Sequence, residues 1–302
     1  MSTTLNRVKR RLRNGNLPDS RAVARQIARA YYRGDRPYNT DGTNVFDEDW
    51  DNLLILDACR YDAFAEEADL PGTLESRTSR GSMTREWVRG NFSDRKLYDT
   101  VYVTGNGNFD YVRDKIGADI HAEVPLWRDE HRTGAGKSIT PPETVAEATL
   151  RCAEEYPTKR IVGHFVQPHT PYLGPTGERF DPRVPLKDIP RRYDVSVGEI
   201  ARAYRENLSL VLEEVETLVA ELPGKTVVTA DHGELLGDRL RPVPVRDYGH
   251  PDGIYMDELV TVPWHVSING DRKDIVSERP ETATEVDVDE VKAHLRDLGY
   301  AT

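Results

Sequence analysis

Cysteine is scarce in this 302-residue sequence, which contains only Cys59 and Cys152. Two cysteines provide no disulfide framework, and their spacing matches no metal-binding pattern. Long apolar runs are also missing, because no stretch approaches the roughly eighteen residues that a membrane-spanning helix requires. The N-terminus has no short apolar region, so we expect no secretory signal peptide. These absences predict a soluble protein located in the cytoplasm.

Positive charge is in deficit over the whole chain, which has a net charge of −11 and 31% charged residues. Because nucleic acids are bound by surfaces rich in Lys and Arg, this acidity argues against a nucleic-acid partner. An excess of carboxylates, with basic residues that are mainly Arg, suits a protein that must stay hydrated in concentrated salt. We interpret this as an indication of a halophilic source, with an ordinary acidic cytosolic enzyme as the alternative.

Residues 1–34 depart from that trend, because they contain nine basic residues and a single acid, Asp19. In a helix, Val23, Ile27 and Tyr31 would share one face. Such an arm could lie on an anionic membrane surface, which would make the protein peripheral to the membrane, or dock onto an acidic partner. The simpler alternative is a solvated helix that packs across the domain. We assign residues 1–45 to this arm and 46–302 to a single domain.

Short apolar segments alternate with amphipathic segments through the rest of the chain. The main strands are predicted at residues 100–103, 160–166 and 225–230, and the main helices at 142–155, 197–222 and 288–298. This alternation predicts an α/β domain with a doubly wound, mostly parallel sheet and helices on both of its faces.

Two apolar segments end in side chains of the metal-ligand type. Asp57 closes the run at 52–56, and Asp231 and His232 close the run at 225–230. In open α/β sheets, ligands bind just beyond the carboxyl ends of the strands, so two such ends can converge on one site. Capping of a following helix is the alternative role for each Asp. A carboxylate beside an imidazole and a glycine favours a metal site.

Four segments of the chain, taken in order, resemble the alkaline phosphatase superfamily and especially its sulfatase-like branch. They are the strand ending at Asp57 with Arg60 and Asp62 beyond it, His164 to Tyr172, Thr229 to Glu234, and Gly249-His250 with the apolar segment 260–264. The order of the four segments is more specific than any one of them. The resemblance implies an alkaline-phosphatase-like fold and a metal-dependent enzyme that acts on phosphate or sulfate esters.

The resemblance also implies a set of metal ligands. It assigns one or two divalent ions to Asp57, Asp231, His232, His169 and His250. His169 would bind the second ion, or would orient or protonate the leaving oxygen. A set of carboxylates and imidazoles favours Zn or Mn, whereas Ca or Mg would suit a site richer in oxygen.

The nucleophile is expected at the start of a helix within residues 76–88, which offer five hydroxyls. A helix that begins near Thr84 would direct its free N–H groups at an incoming anion. The sequence from Thr84 to Trp87 resembles the Thr-x-Pro-x start of related transferases and phosphodiesterases, although the proline is missing. We therefore favour Thr84, followed by Ser82 and Ser79. Helix capping is the alternative role of Thr84.

Other residues are assigned with this resemblance in mind. Sulfatases modify a Cys or Ser within Cys-x-Pro-x-Arg, and neither Cys59 nor Cys152 has that context. A true sulfatase is therefore disfavoured. Arg60 and Lys137 are candidates for holding an anionic substrate. His164 is equally compatible with a buried core position and with the wall of the site.

Three functions fit these observations. The first is a hydrolase of phosphate esters, a phosphatase or phosphodiesterase, which acts through a metal-activated Thr or Ser. The second is a transferase of a phospho-substituent to a glycan or lipid headgroup, or a sulfatase-like hydrolase. The third is a non-catalytic relative that binds an anionic ligand. The partner in each case is an anionic small molecule, glycan or lipid headgroup, and the oligomeric state is left open.

Overall fold

A computed structural model describes residues 19–128, 139–279 and 288–297, so residues 1–18 and the candidate Lys137 lie outside the described residues. The strands are β1 Asn52–Leu56, β2 Thr73–Thr78, β3 Lys96–Thr104, β4 Asp119–Pro125, β5 Arg160–Phe165, β6 Gly224–Thr229, β7 Leu235–Arg239, β8 Arg246–Gly249 and β9 Thr261–Asn269. The helices are α1 Ser20–Tyr32, α2 Tyr61–Glu67, α3 Thr84–Phe92, α4 Asn108–Val112, α5 Pro142–Glu155, α6 Ile189–Tyr193, α7 Val197–Glu221, α8 Asp257–Val260 and α9 Val288–Asp297. Short 3₁₀ segments occupy Val45–Asp47, Arg113–Ile116, Leu126–Arg128 and Leu186–Asp188.

Seven strands form one sheet in the order β2-β9-β6-β1-β5-β3-β4, and β7 and β8 form a separate antiparallel pair. Strand β1 pairs in parallel with β5 and β6, and β3 pairs in parallel with β4 and β5. Within this sheet, β9 runs antiparallel to both of its neighbours, β6 and β2. The predicted α/β class with a mostly parallel sheet is confirmed.

The side chains of β1 show that helices cover both faces of the sheet. Leu54 and Leu56 pack with residues of α2, α5 and α7, whereas Leu53 and Ile55 pack with residues of α3 and α4. Because successive side chains of a strand point to opposite faces, these are two separate cores. The doubly wound arrangement is therefore confirmed. Helix α7 buries an apolar stripe that consists of Ile200, Tyr204, Leu208, Val211, Leu212, Val215, Leu218 and Val219.

Helix α1, the described part of the basic arm, packs against the β7–β8 side of the domain. Its Ala24 and Ala28 are fully buried in a small core with Leu235, Ile254 and Met256. A separate arm that ends at residue 45 stays a prediction. Across the described parts of the chain, every helix is too short or too polar to cross a membrane.

Candidate active site

Asp57, Asp231 and His232 meet beyond the carboxyl ends of the neighbouring strands β1 and β6, and we call them the first cluster. All three are buried. His232 Nε2 lies 3.5 Å from Asp57 Oδ1 and 3.3 Å from Asp231 Oδ2. Ligand atoms placed tetrahedrally at about 2.1 Å from a zinc ion are about 3.4 Å apart. The spacing of these three atoms therefore fits one divalent ion.

Hydrogen bonds orient the first cluster toward a common point. His232 Nδ1 lies 2.8 Å from the carbonyl oxygen of Gly233. Nδ1 is therefore the protonated nitrogen, and Nε2 presents its lone pair to the carboxylates. Asp231 Oδ1 accepts hydrogen bonds from the N–H groups of Ala58 and His232, whereas its buried Oδ2 has no hydrogen-bond partner among the described residues. A buried carboxylate oxygen in this state suits a cation ligand.

Burial keeps His164 and His232 neutral. It lowers the pKa of His232, an effect that the Asp231 carboxylate opposes. It also lowers the pKa of His164 to about 4. Neutral rings at pH 7 retain the lone pair that a metal ligand needs.

Helix capping does not explain the two aspartates. The N-cap of α2 is Arg60, three residues beyond Asp57. The next element after Asp231 is strand β7, so no helix begins there. The capping alternative is wrong for both residues.

Thr84 is the first residue of α3, and its hydroxyl faces the first cluster. Thr84 Oγ1 lies 3.3 Å from His232 Nε2 and 3.5 Å from Asp57 Oδ2, and the side chain is buried. The N-cap of α3 is Met83, so the capping alternative for Thr84 is also wrong.

The other two candidate hydroxyls bond to groups outside the first cluster's ligand atoms. Ser82 Oγ lies 3.0 Å from Glu86 Oε2 and 3.1 Å from the carbonyl oxygen of Pro251. Ser79 Oγ donates a hydrogen bond to the backbone carbonyl of Asp231. Of the three predicted nucleophiles, Thr84 is therefore the one whose hydroxyl the structure places against the Asp57 and His232 side chains.

His169, Glu234 and His250 form a second cluster of ligand type beside the first. His250 Nδ1 lies 3.0 Å from Glu234 Oε1. The ring centroid of His250 is 5.0 Å from that of His169 and 4.6 Å from that of His232. Two imidazoles and one glutamate are a donor set found in catalytic zinc sites. The structure thus brings the two predicted histidines together and adds Glu234, which was part of the quoted motif but was not assigned as a ligand.

Arg60 does not join either cluster. Its guanidinium bonds to both carboxylate oxygens of Asp62 at 2.8 and 2.6 Å and to Asp238 Oδ2 at 2.9 Å. It also donates to the backbone carbonyl of Glu234 at 3.0 Å. These bonds tie the start of α2 to the backbone that carries Glu234. The role of Arg60 in holding a substrate anion stays a prediction.

Two further polar residues adjoin the first cluster. Asn106 Nδ2 donates to Asp57 Oδ2 at 3.3 Å. His164 Nε2 lies 3.9 Å from Asp231 Oδ2, and its Nδ1 lies 2.6 Å from the hydroxyl of Tyr102. Asn106 follows the end of β3, so the same strand-end rule that identified Asp57 would have indicated it.

A cavity of about 270 Å³ opens beside the second cluster. Its walls include His169, Glu234 and His250, the side chain of Met83 at the start of α3, and the cations Arg25 and Lys187. The second cluster therefore lines this cavity, whereas Thr84 and the first cluster are fully buried beside it and are not part of its lining.

No family model matches this chain, and neither does any curated protein. Solved structures to which the chain is similar include phosphoethanolamine transferases, sulfatases and a phosphonate monoester hydrolase, which are sulfatase-like members of the alkaline phosphatase superfamily. The soluble domain of lipooligosaccharide phosphoethanolamine transferase A from Neisseria meningitidis has a TM-score of 0.45 at 12% identity, covering 72% of this chain and 75% of that chain.

Two more of these structures have comparable similarity. The zinc complex of the C-terminal periplasmic domain of EcEptC from Escherichia coli has a TM-score of 0.46 at 13% identity, covering 74% of this chain and 75% of that one. Phosphonate monoester hydrolase SpPMH from Silicibacter pomeroyi has a TM-score of 0.42 at 15% identity, covering 82% and 72%.

Proposed function

We propose that this protein is a metal-dependent hydrolase of phosphate esters, a phosphatase or phosphodiesterase, with Thr84 as its nucleophile. One observation carries the proposal: the Thr84 hydroxyl lies within 3.5 Å of both Asp57 and His232, inside a buried donor set whose spacing fits a divalent ion. A serine or threonine hydroxyl needs such a neighbour, because it is a weak nucleophile at neutral pH.

The donor atoms favour Zn or Mn over Ca or Mg. The first cluster offers two carboxylates and one imidazole, and the second offers two imidazoles and one carboxylate. Ca and Mg prefer sites made of oxygen alone, whereas imidazole suits Zn and other transition metals. A divalent ion held by these groups supplies positive charge that lowers the pKa of an adjacent hydroxyl and neutralises a phosphoryl oxygen.

The chain's own groups account for the remaining steps. Thr84 Oγ1 forms a bond to phosphorus as the ester P–O bond breaks in line. Asp57 Oδ2, 3.5 Å away, can accept the hydroxyl proton. Burial alone would lower the pKa of His250, but the Glu234 carboxylate outweighs it and raises that pKa. If the second cluster holds no ion, His169 or a protonated His250 can donate a proton to the leaving oxygen; if it holds one, both imidazoles serve as its ligands. Water then hydrolyses the phosphothreonine.

Metal content tests the first part of the proposal. We expect about one or two divalent ions per chain in the purified protein. The double variant Asp231→Ala with His232→Ala should lose the ion of the first cluster. Asp114→Ala with His121→Ala, which removes the same residue types outside both clusters, is the matched control. A wild-type protein that takes up neither Zn nor Mn would contradict the proposal.

Hydrolysis of p-nitrophenyl phosphate and bis-p-nitrophenyl phosphate tests the role of Thr84. Thr84→Ala should lower the turnover by about a thousandfold or more, and Thr84→Ser should retain part of it. Ser93→Ala is the control, since this hydroxyl follows the same helix and donates only to the carbonyl of Arg89. Acid quenching should trap a phosphoryl group on Thr84. Full activity in Thr84→Ala would remove Thr84 from the chemistry.

The same assays separate the alternative functions. A transferase would use the same nucleophile and pass the phospho-substituent to an alcohol. Added glycan or lipid alcohols would then accept the phospho-substituent from Thr84 in place of water. A sulfatase-like enzyme would prefer p-nitrophenyl sulfate. A non-catalytic relative would bind inorganic phosphate and turn over none of these esters.

A further inference from the structure

Helix α1 carries a row of arginines that faces the segment around His250. Arg25, Arg29 and Arg33 are four residues apart, so they project from one side of the helix. Arg25 donates to both carboxylate oxygens of Asp247 at 2.6 and 2.7 Å and to the carbonyl oxygen of Tyr248 at 3.0 Å. The Asp247 side chain is completely buried. Arg25 is therefore the principal cation that compensates the Asp247 carboxylate, with Arg21 Nε farther away at 3.7 Å. Asp247 lies three residues before His250 of the second cluster.

The next two arginines hold the other side of His250. Arg29 donates to the backbone carbonyl of Asp252 at 3.1 Å and to its carboxylate. Arg33 Nη1 lies 3.2 Å from Asp252 Oδ2 and 3.3 Å from Glu86 Oε1. Because Glu86 belongs to α3, Arg33 joins the helix that begins with the nucleophile candidate to the segment that carries His250.

The backbone of this segment also lies close against α1. A Cβ atom added to Gly253 would lie 2.6 Å from Arg33 Cδ and 3.0 Å from Arg29 Cγ. The segment therefore passes directly beneath the arginine stems, and a glycine permits that approach. Charge pairing and close packing thus both fix residues 247–253 to α1.

We infer that α1 is an intramolecular brace that positions His250 and shapes the cavity beside it. Arg25, Arg29 and Arg33 are positioning residues, and Arg25 also lines the cavity. Helix α1 of the basic arm thus adjoins the site, and these three arginines already bind Asp247 and Asp252 of the same chain. The role of His250 in the reaction rests on the proposed function, whereas its positioning by α1 does not.

Hydrogen exchange of the metal-free protein tests the brace directly. In EDTA, Arg25→Met should speed the exchange of amides in residues 246–254 by about tenfold or more, because the buried Asp247 carboxylate would lose its two hydrogen bonds to a cation. Its remaining ion pair, with Arg21 Nε at 3.7 Å, is too long to replace them. Arg205→Met is the matched control, since Arg205 pairs with Glu66 and Glu67 on the exposed side of α7. Wild-type exchange at 246–254 in Arg25→Met would overturn the inference.

A milder variant covers the case in which Arg25→Met fails to fold. Arg25→Lys keeps the charge but cannot form the two-pronged bond, so it should give an intermediate increase in exchange confined to the same segment. The inference is overturned if amide exchange at residues 246–254 has the wild-type rate both in Arg25→Lys and in the folded double variant Arg29→Met with Arg33→Met.

Zinc titration provides the second readout. Outer residues that orient a ligand typically change metal affinity by about 10–100-fold. Arg25→Met should therefore lower the zinc affinity of one site by about tenfold or more and leave that of the other site unchanged. Arg205→Met should change the affinity of neither site. Two ions bound with wild-type affinity would overturn the brace but leave the proposed function intact. A wild type that binds neither zinc nor manganese would overturn the proposed function, and hydrogen exchange would still test the brace.

Discussion

At the scale of single residues, His164 connects the first cluster to the stability of the core. It is completely buried, and its ring lies 5.7 Å from Trp87 between ring centroids. Burial lowers its pKa to about 4 in the folded protein, against about 6.5 in an unfolded chain. The unfolded state therefore takes up this proton more readily, and the folded state loses stability as the pH falls from about 6.5 toward 4.

Replacing His164 should remove that part of the acid sensitivity. We expect the loss in unfolding free energy between pH 7 and 4.5 to be smaller in His164→Gln than in the wild type, by about 2 kcal/mol. Urea unfolding in EDTA at both pH values measures this difference. His121→Gln, a change near the surface, is the control. An unchanged acid sensitivity in His164→Gln would show that the ring does not titrate as its burial requires.

Glu234 should control the protonation of His250. Burial lowers the pKa of His250 and the Glu234 carboxylate raises it, with a net rise. In Glu234→Gln the effect of burial should prevail, so the pKa should drop below its ordinary value. Histidine ring signals in NMR, followed against pH in metal-free protein, measure this shift, with Glu199→Gln as the control. A pKa of His250 that stays raised would assign the effect to another group.

The sequence located some of these residues and could not locate others. Asp57, Asp231 and His232 follow apolar strands, and the convergence of strand ends brings them together. Arg60 shows the limit of such reasoning, because its partner Asp238 lies on β7, a strand that the apolar pattern does not mark. Which carboxylate neutralises a given arginine depends on tertiary packing, which residue spacing alone does not encode.

At the scale of elements, α7 supports the turn that carries Asp57. The Tyr204 hydroxyl of α7 donates to the carbonyl of Ala58 at 2.8 Å and accepts from the N–H of Arg60 at 2.8 Å. Ala58 has a φ of 63°, a left-handed conformation that is unfavourable for a residue other than glycine. The hydroxyl therefore satisfies both ends of a strained connection between β1 and α2.

Tyr204→Phe should weaken this connection. Two buried backbone groups would lose their partner, so we expect a loss of about 1–3 kcal/mol in unfolding free energy. Chemical denaturation measures the loss, and Tyr31→Phe on the exposed side of α1 is the control. Metal uptake by the first cluster should weaken in parallel, because Asp57 precedes the turn. A neutral Tyr204→Phe would mean that water replaces the hydroxyl.

The elements were predictable to different degrees for a physical reason. Helix α5 and strand β6 bury regular apolar patterns, and their predicted bounds agree with the structure to within one residue. Strand β2 is an edge strand whose six residues are exposed or half-buried, so its sequence carries little periodic signal. It becomes a strand by pairing with β9, nearly two hundred residues away. Long-range pairing of this kind leaves no local pattern.

At the scale of the whole molecule, the net charge of −11 has two explanations, a halophilic source or an ordinary acidic enzyme. The dependence of stability on salt concentration separates them. Screening of repulsion between surface carboxylates is nearly complete by 1 M salt, where the Debye length is about 3 Å. An ordinary acidic enzyme should therefore gain stability up to about that concentration and then level off. A protein adapted to concentrated salt should continue to gain above it.

We expect the thermal midpoint to rise from 0.1 M to 1 M KCl and to keep rising from 1 M to 3 M, as a halophilic source implies. The sequence pI is about 5.3, so at that pH the net repulsion vanishes and the first part of the rise should shrink. The bond between Arg25 and the buried Asp247 is screened less than surface pairs, so exchange at residues 246–254 should stay slow throughout. A plateau above 1 M would support the ordinary enzyme, because screening alone would then account for the whole response.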